Sequence, residues 1–172
     1  MKVIAIAAVG KNGSIGKENG LPWNIPEDMS FFKRSTRNQI VLMGRKSFDA
    51  IGKALPHREN GVITRDPVWK RDGVLVFHDI KTAIDFYKND SRFIGKELFV
   101  IGGSEIYLLS FPMLDEVWLT EIETEFEADA FFPFYMRGKL ERPEFEITSR
   151  EPQKDFVQTS HRYSFNRYTR KV

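Results

Sequence analysis

The sequence predicts an α/β fold of three layers, in which a predominantly parallel mixed central sheet of about eight strands has an antiparallel C-terminal edge and helices on both faces. Strand-like and helix-like segments alternate through the first two-thirds of the chain, and strand-like segments dominate the remainder. Several apolar runs are also continuous, which is typical of parallel strands buried on both faces. With 172 residues, the chain is expected to form a single domain over residues 1–172.

The first half of the chain supplies strands and two helices. Residues 3–9 form a continuous apolar run that ends at Gly10, as expected of a buried strand. Pro26 suits the first turn of a helix, and the two carboxylates after it favour the helix dipole, so a helix is predicted to about residue 35. The next predicted segments are a strand over 39–43, a helix over 45–51 and strands over 61–64 and 74–77.

The second half begins with a capped helix and ends in strands. Asp79 is expected to cap a helix whose apolar residues recur at helical spacing from Ile80 to Tyr87. Gly102 and Gly103 end a strand predicted over 97–101. The later predicted segments are a helix through Ile106 and Leu109, and two half-exposed strands over 116–123 and 161–168.

Composition argues against several classes of protein. Lys and Arg total 26 and Asp and Glu total 24, so the net charge is +2, and no clustered basic stripe indicates a nucleic-acid binder. The lack of Cys excludes disulfides and thiolate zinc sites, and the three scattered histidines give no reason to expect a metal. Because no apolar run approaches the ~20 residues that cross a bilayer, and the N-terminus looks like a strand, we expect a cytoplasmic monomer without a membrane segment.

Three strand ends carry groups that attract phosphate, and ligands of open α/β sheets bind beyond the carboxyl ends of the strands. These ends are residues 43–47, residues 63–65 and residues 100–104. Each is a weak signal, because a glycine after a strand usually serves a turn and an exposed Arg is usually solvated. Together they favour a ligand with several phosphates. The GxGxxG fingerprint is missing, so a standard Rossmann domain is not indicated.

Asp28 is the most informative single residue. Phe31 and Phe32 follow it by three and four positions and share its helix face. If the phenyl rings point inward, the carboxylate does too, and a buried acid is costly unless it is paired. Taken alone, Asp28 is better interpreted as a first-turn residue satisfied by backbone donors. The alternative is an acid in an apolar pocket that receives a cationic or amidine-like ligand edge. Arg58 is similarly either a surface residue or a clamp for a carboxylate.

Four groups of sequence motifs follow one another along the chain. The segment IAAVGKNGSIGKENGLPWNIPEDMSFFK is followed by VLMGRKSFDAIGKALPHR, by VIGGSEIY, and by WLTEIE with EADAFFP. In this order and spacing they resemble the dihydrofolate reductase family over most of the chain through Pro133. The LPW–PEDM–FFK segment, and MGRKSF together with VIGG, are specific to that family, whereas the C-terminal strands resemble it only in pattern.

The resemblance implies the NADPH-dependent reduction of 7,8-dihydrofolate to tetrahydrofolate. In the family pattern Asp28 would be the sole ionisable group beside the pterin, and Thr120 would share its hydrogen bonds. Trp23 would help to position a water, and Leu21 would cover the site from a mobile loop. Arg58 would bind the glutamate α-carboxylate. The other substrate residues implied are Ile6, Ala8, Phe32, Ile51 and Leu55.

For NADPH, the resemblance implies residues from several segments. Ala8 and Ile15 would face the nicotinamide. The phosphates would meet Gly44, Arg45, Lys46 and Ser47 on one side and Ile101, Gly102, Gly103, Ser104, Glu105 and Ile106 on the other. The 2′-phosphate would meet Arg45, Thr64, Arg65 and His78. In the family, the two adjacent glycines are joined by a cis peptide.

The implied mechanism transfers a hydride from nicotinamide C4 to pterin C6, while N5 gains a proton through an ordered water and Asp28 tunes the pterin electrostatically. Closure of the loop over residues 10–24 would exclude bulk water, with Asp129 holding it through backbone hydrogen bonds. His57, Ser104 and Ala128 stand where the family frequently has glycine, which leaves pocket shape and loop mobility open.

Other functions stay open at this point. A related pyrimidine reductase of riboflavin synthesis shares the fold and the use of NADPH. The helix of Asp28, with the LPW segment before it, argues against that enzyme. A catalytically silent folate- or nucleotide-binding module would not need Asp28, Trp23 and Thr120 together. A nucleic-acid binder is the weakest alternative, and antifolate inhibitors are further expected ligands.

Overall fold

The computed structural model describes residues 1–18, 20–153 and 161–172. Within these residues the α-helices are α1 (Pro26–Thr36), α2 (Arg45–Ile51), α3 (Ile80–Asn89) and α4 (Ser104–Ser110). The strands are β1 (Val3–Gly10), β2 (Ser14–Gly16), β3 (Ile40–Gly44), β4 (Glu59–Ile63), β5 (Val74–Phe77), β6 (Leu98–Gly102), β7 (Glu116–Ile122), β8 (Ala130–Phe131), β9 (Tyr135–Met136), β10 (Lys139–Leu140), β11 (Phe145–Pro152) and β12 (Tyr163–Arg170).

Eight of these strands form one mixed sheet in the order β11-β12-β7-β1-β6-β3-β4-β5. Strand β1 pairs in parallel with β6, β6 with β3, β3 with β4, and β4 with β5. Strand β12 runs antiparallel to both β7 and β11. The predicted α/β class, with a largely parallel sheet and an antiparallel C-terminal edge, is therefore confirmed.

Local sequence signals account for the ends of two helices. Pro26 is the first residue of α1, where its fixed φ and missing N–H suit the helix start. Asp79 caps α3 through its side chain, which accepts a hydrogen bond of 2.8 Å from the backbone N–H of Thr82. Within the ranges that the structure describes, no helix combines the length and the apolar character that a membrane span requires.

Strand β11 and the short strands β2, β8, β9 and β10 were not predicted. Strand β11 is exposed along most of its length, so it lacks the alternation of apolar and polar residues that identifies a half-buried strand. A register shift between Ile147 and Ser149 further disturbs its period. Strand β12 begins at Tyr163, two residues later than predicted.

The described residues group into two compact units. One comprises Met1–Ala5 and Thr36–Leu114, and its core includes an aromatic cluster whose rings lie 5.0–6.1 Å apart, formed by Phe77, Phe86, Tyr87 and Phe93. The other comprises Ile6–Ser35 and Asp115–Val172, with a core cluster formed by Trp23, Ile25, Ile122 and Tyr163. The single domain expected from the sequence stays a prediction.

Candidate active site

A half-buried carboxylate on α1, that of Asp28, pairs with a buried hydroxyl on β7, that of Thr120. Asp28 is in the first turn of α1, and its Oδ1 accepts a hydrogen bond of 2.7 Å from Oγ1 of Thr120, which is 1% exposed. Burial raises the pKa of Asp28 above its usual 3.8, and the Thr120 hydrogen bond opposes part of that rise. The carboxylate is thus held by a hydroxyl of the sheet and is only partly reached by solvent, and its role beside a ligand stays a prediction.

A pocket of about 340 Å³ opens beside this acid. Its lining residues are Leu21, Trp23, Asn24, Ile25, Pro26, Asp28, Met29, Ser30 and Lys33. The indole of Trp23 is buried, and its Nε1 has no hydrogen-bond partner among the described residues. A buried N–H that lacks a protein acceptor fits a site in which a ligand or an ordered water accepts its hydrogen bond. Leu21 is 53% exposed at the pocket rim.

The loop that carries Leu21 is fastened at Asp129. The backbone N–H of Glu18 donates to Asp129 Oδ2 at 2.9 Å, and the Asp129 N–H donates to the Gly16 carbonyl at 3.0 Å. Asn12 adds a hydrogen bond of 2.8 Å to the carbonyl of Phe126. The predicted backbone hydrogen bonds of Asp129 are therefore present, although position 19 of the loop lies outside the described residues.

Arg58 is oriented by its own surroundings. Its Nε donates to Thr36 Oγ1 at 2.9 Å, and its Nη1 donates to the Pro56 carbonyl at 2.8 Å. Burial, and after it the nearby charge of Arg37, lower the pKa of the Arg58 guanidinium below its ordinary value. Two fixed hydrogen bonds preorganise the planar fork, which is the geometry that a bidentate carboxylate site needs.

The segment before Arg58 is held by a buried amide. Asn60, 4% exposed, accepts a hydrogen bond of 2.9 Å from the Leu55 N–H and donates one of 2.9 Å to the Leu55 carbonyl. Ile51, at the end of α2, is 41% exposed, which leaves an apolar side chain open to a ligand. Thr36 and Asn60 were missed in the sequence because no spacing rule links them to Arg58 or Leu55.

Two helix starts of one unit are preceded by glycines. Gly44 and Gly103 precede α2 and α4, and neither helix has a side-chain cap. A Cβ atom on Gly44 would lie 3.0 Å from Cγ1 of Ile106, and one on Gly103 would lie 3.5 Å from Oγ of Ser47. Backbone N–H groups at helix starts are donors that suit phosphate oxygens. The Gly102–Gly103 peptide is cis, as the family resemblance implies.

The predicted 2′-phosphate residues are paired with other groups. Arg45 lies 3.2 Å from Asp66 and 3.6 Å from Asp49, and exposed Arg65 lies 2.8 Å from Glu105. Nδ1 of His78 is 2.8 Å from the Thr64 carbonyl. Because these ion pairs are solvated, they cost little to rearrange around an incoming anion.

The remaining predicted site residues have the following placement. Ile6 and Ile106 are buried, and Ala8 packs against the core cluster of Trp23. The half-buried residues of this set are Ile15, Phe32, Ser47, Leu55, Ile101 and Ser104, and the exposed ones are Lys46, Arg65, His78 and Glu105. None of these positions conflicts with its predicted role, and those roles stay predictions.

Comparison with known proteins gives one consistent result. A family model described as dihydrofolate reductase matches residues 2–170. The dihydrofolate reductase of Bacillus subtilis (strain 168) is 34% identical over 166 residues, which are 96% of this chain and 93% of the relative. That of Haemophilus influenzae is 35% identical over 166 residues, which are 96% of this chain and 97% of the relative.

A solved structure agrees with these relatives. The dihydrofolate reductase from Enterococcus faecalis, complexed with NADP(H) and RAB-propyl, superposes with a TM-score of 0.88. It is 28% identical, and the match covers 99% of this chain and 97% of that one.

Proposed function

The chain belongs to the dihydrofolate reductase family, and we propose that Asp28, Thr120 and Trp23 bind and orient the pterin while the enzyme reduces 7,8-dihydrofolate to tetrahydrofolate with NADPH. The observation that carries this proposal is the half-buried Asp28 carboxylate beside a pocket, which accepts a hydrogen bond of 2.7 Å from Thr120. When bound, NADPH supplies a hydride from its nicotinamide C4 to C6 of the pterin, and solvent supplies the proton at N5.

Asp28 provides the acceptor that the pterin edge requires. The 2-amino group and N3 of dihydrofolate present two donors side by side, like an amidine, and a carboxylate can accept both in parallel. Thr120 donates to the same carboxylate and therefore fixes its plane. In a water-poor pocket these bonds gain strength. Because Asp28 would face the ring edge opposite N5, it would polarise the pterin, and a water would carry the proton to N5.

The nucleotide would bind at the starts of α2 and α4. Backbone N–H groups at the starts of α2 and α4, together with the hydroxyl of Ser47, would bind the two phosphates of the pyrophosphate. The 2′-phosphate would be bound by Arg45, Thr64, Arg65 and His78. This contact would favour NADPH over NADH. These residues present cations and hydroxyls, which are the donors that such a group needs.

Arg58 would bind the α-carboxylate of the glutamate, with Ile51 and Leu55 flanking the benzoyl group. The preorganised guanidinium and the exposed apolar side chain of Ile51 support this assignment. Leu21, on the loop fastened by Asp129, would cover the pterin and limit the entry of water.

The substitution Asp28→Asn tests the proposal. The side chain keeps its size but loses the negative charge that accepts the two hydrogen bonds of the pterin. Turnover is therefore expected to fall about 10²- to 10⁴-fold. NADPH binding, followed by quenching of protein fluorescence, is expected to stay within about twofold of wild type. Equal losses in cofactor affinity and turnover would show that Asp28 is structural and not part of the pterin site.

Several expectations from the sequence remain proposals. An antifolate with an amidine-like edge would bind Asp28 as the pterin does. We also propose a monomer without a nucleic-acid partner, located in the cytoplasm. Sedimentation of the purified enzyme, a nucleic-acid binding assay and cell fractionation would test these three points.

A further inference from the structure

A second hydroxyl–carboxylate pair lies next to the pair of Asp28 and Thr120. The hydroxyl of Tyr163 donates a hydrogen bond to Oε2 of Glu27. Tyr163 is 3% exposed and belongs to the same core cluster as Trp23. The reaction described above assigns no task to either residue.

The sheet places both hydroxyls under the same helix turn. Tyr163 on β12 is the register partner of Ile122 on β7, and Phe165 is the partner of Thr120. Residues two apart on a strand, and residues directly opposite each other on adjacent strands, point to the same face. The side chains of Thr120 and Tyr163 thus project from the same face of the sheet. Their hydroxyls donate hydrogen bonds to two consecutive carboxylates, those of Asp28 and Glu27 respectively.

The first turn of α1 needs such an anchor. Ile25, the residue before Pro26, has no side-chain acceptor, so it cannot cap the helix as Ser or Asp would. The side chains of Glu27 and Asp28 fasten the turn to the sheet from two adjacent positions, whose Cα atoms are about 3.8 Å apart. A turn held at two points has less freedom to rotate than a turn held at one.

Stacked rings hold the Tyr163 hydroxyl in place. The Tyr163 ring packs edge-on against Phe165, with centroids 5.5 Å apart and planes at 70°. Phe165 in turn stacks on Phe31 of α1 at 4.5 Å and 29°. Phe31 lies three residues after Asp28, on the same side of the helix. This column of rings fixes both the donor and the helix that carries the acceptor.

We propose that Tyr163 is a positioning residue for dihydrofolate reduction, which acts through Glu27 to hold the first turn of α1 and thereby the orientation of the Asp28 carboxylate. The inference rests on the proposed role of Asp28. It adds that correct alignment of this acid requires a second hydroxyl, supplied by the neighbouring strand.

The variant Tyr163→Phe removes only the hydroxyl and has a matched control. Tyr168 lies on the same strand, is 5% exposed and donates to the buried carboxylate of Glu121, so Tyr168→Phe removes an equivalent bond from another acid. We expect Tyr163→Phe to lower kcat/KM for dihydrofolate about tenfold, as expected for one lost hydrogen bond to a charged group. Tyr168→Phe should stay within about twofold, and both variants should keep wild-type affinity for NADPH. Equal effects of the two variants on kcat/KM would overturn the proposal.

Variants of Glu27 separate positioning from a general structural loss. Glu27→Gln keeps an oxygen that accepts from Tyr163 and should retain most activity, whereas Glu27→Ala should match Tyr163→Phe. The double variant Glu27→Ala/Tyr163→Phe should be no slower than either single variant, because both remove the same bond. If the double variant instead lost activity by the product of the two single losses, Glu27 and Tyr163 would act independently and the proposal would be refuted. If Asp28→Asn turns over normally, the proposed role of Asp28 fails; if it is slow while Tyr163→Phe is unaffected, only the present inference fails.

Discussion

Oγ1 of Thr120 and Oδ1 of Asp28 lie 2.7 Å apart across 92 positions of the sequence. The bond joins the first turn of α1 to β7 and gives a half-buried carboxylate a fixed donor. Burial raises the pKa of Asp28 and this donor lowers it, so the two effects set the pH at which the acid titrates. A change to either residue should therefore be visible in the pH dependence of the reaction.

Thr120→Val removes the donor while it keeps the volume of the side chain. Loss of a hydrogen bond to the charged form raises the pKa of Asp28 further, so the transition in the pH profile of kcat/KM should move to higher pH. Thr120→Ser keeps a hydroxyl and serves as the control. A transition that stays in place or moves to lower pH in Thr120→Val would show that Thr120 does not stabilise the carboxylate.

Asp28→Asn should stabilise the fold at neutral pH. Because the pKa of Asp28 is higher in the folded chain than its usual 3.8, the folded state favours the protonated acid, and the cost of ionisation develops as pH rises from 3.8 through the folded pKa. The gain should appear at pH 7 as a higher Tm for the variant than for the wild type. The gain should vanish at pH 3. A lower Tm for the variant at pH 7 would mean that the carboxylate stabilises the fold.

Arg58→Ala should weaken dihydrofolate binding specifically. Loss of a charge-assisted, bidentate contact is expected to raise KM for dihydrofolate about 10- to 100-fold, with a much smaller effect on a pterin that lacks the glutamate tail. Arg37→Ala, which removes a nearby exposed guanidinium, is the control. Similar losses with both pterins would place the carboxylate site elsewhere.

Arg45→Ala should reduce the preference for NADPH over NADH. The variant removes a cation that pairs with Asp66 and Asp49 and that we assign to the 2′-phosphate, so the ratio of kcat/KM values for the two cofactors should fall about tenfold. Arg92, whose partner is Asp90, provides a control substitution. An unchanged ratio in Arg45→Ala would assign recognition of the phosphate to other residues.

Asp129→Ala should release the loop of Leu21. It removes the acceptor of the Glu18 N–H, so the rate of hydride transfer in a single turnover should fall about tenfold, while dihydrofolate affinity changes less. The control is Glu127→Gln, which removes the exposed ion pair with Lys17, an interaction of the kind that contributes little. If hydride transfer in Asp129→Ala proceeds at the wild-type rate, the closed loop is not required for the reaction.

The sequence predicted what depends on local pattern. Pro26 and Asp79 mark helix starts by their own chemistry, and the apolar runs of β1, β3 and β6 identify strands buried on both faces. The glycines at 44, 102 and 103 were found because they follow predicted strands, where glycine permits a close approach of backbone or ligand. The family motifs then linked these positions into one expected site.

The missed features depend on contacts between distant segments. Strand β11 lacks a buried face of its own, so its pairing with β12 is not visible in its composition. Asn60 and Thr36 look like ordinary polar residues until the chain folds back on Leu55 and Arg58. The pair of Glu27 and Tyr163 spans 136 positions, and no helical or strand period connects residues that far apart.

The pH dependence of single-turnover hydride transfer in the wild type and in Asp28→Asn tests the role of the buried acid most directly. The wild-type profile should contain a transition above pH 3.8, the usual pKa of an aspartate, because burial raises the pKa of Asp28. That transition should be absent from the profile of Asp28→Asn, which should also be slower at every pH. An identical transition in both proteins would contradict the assignment, since some other group would then control the reaction.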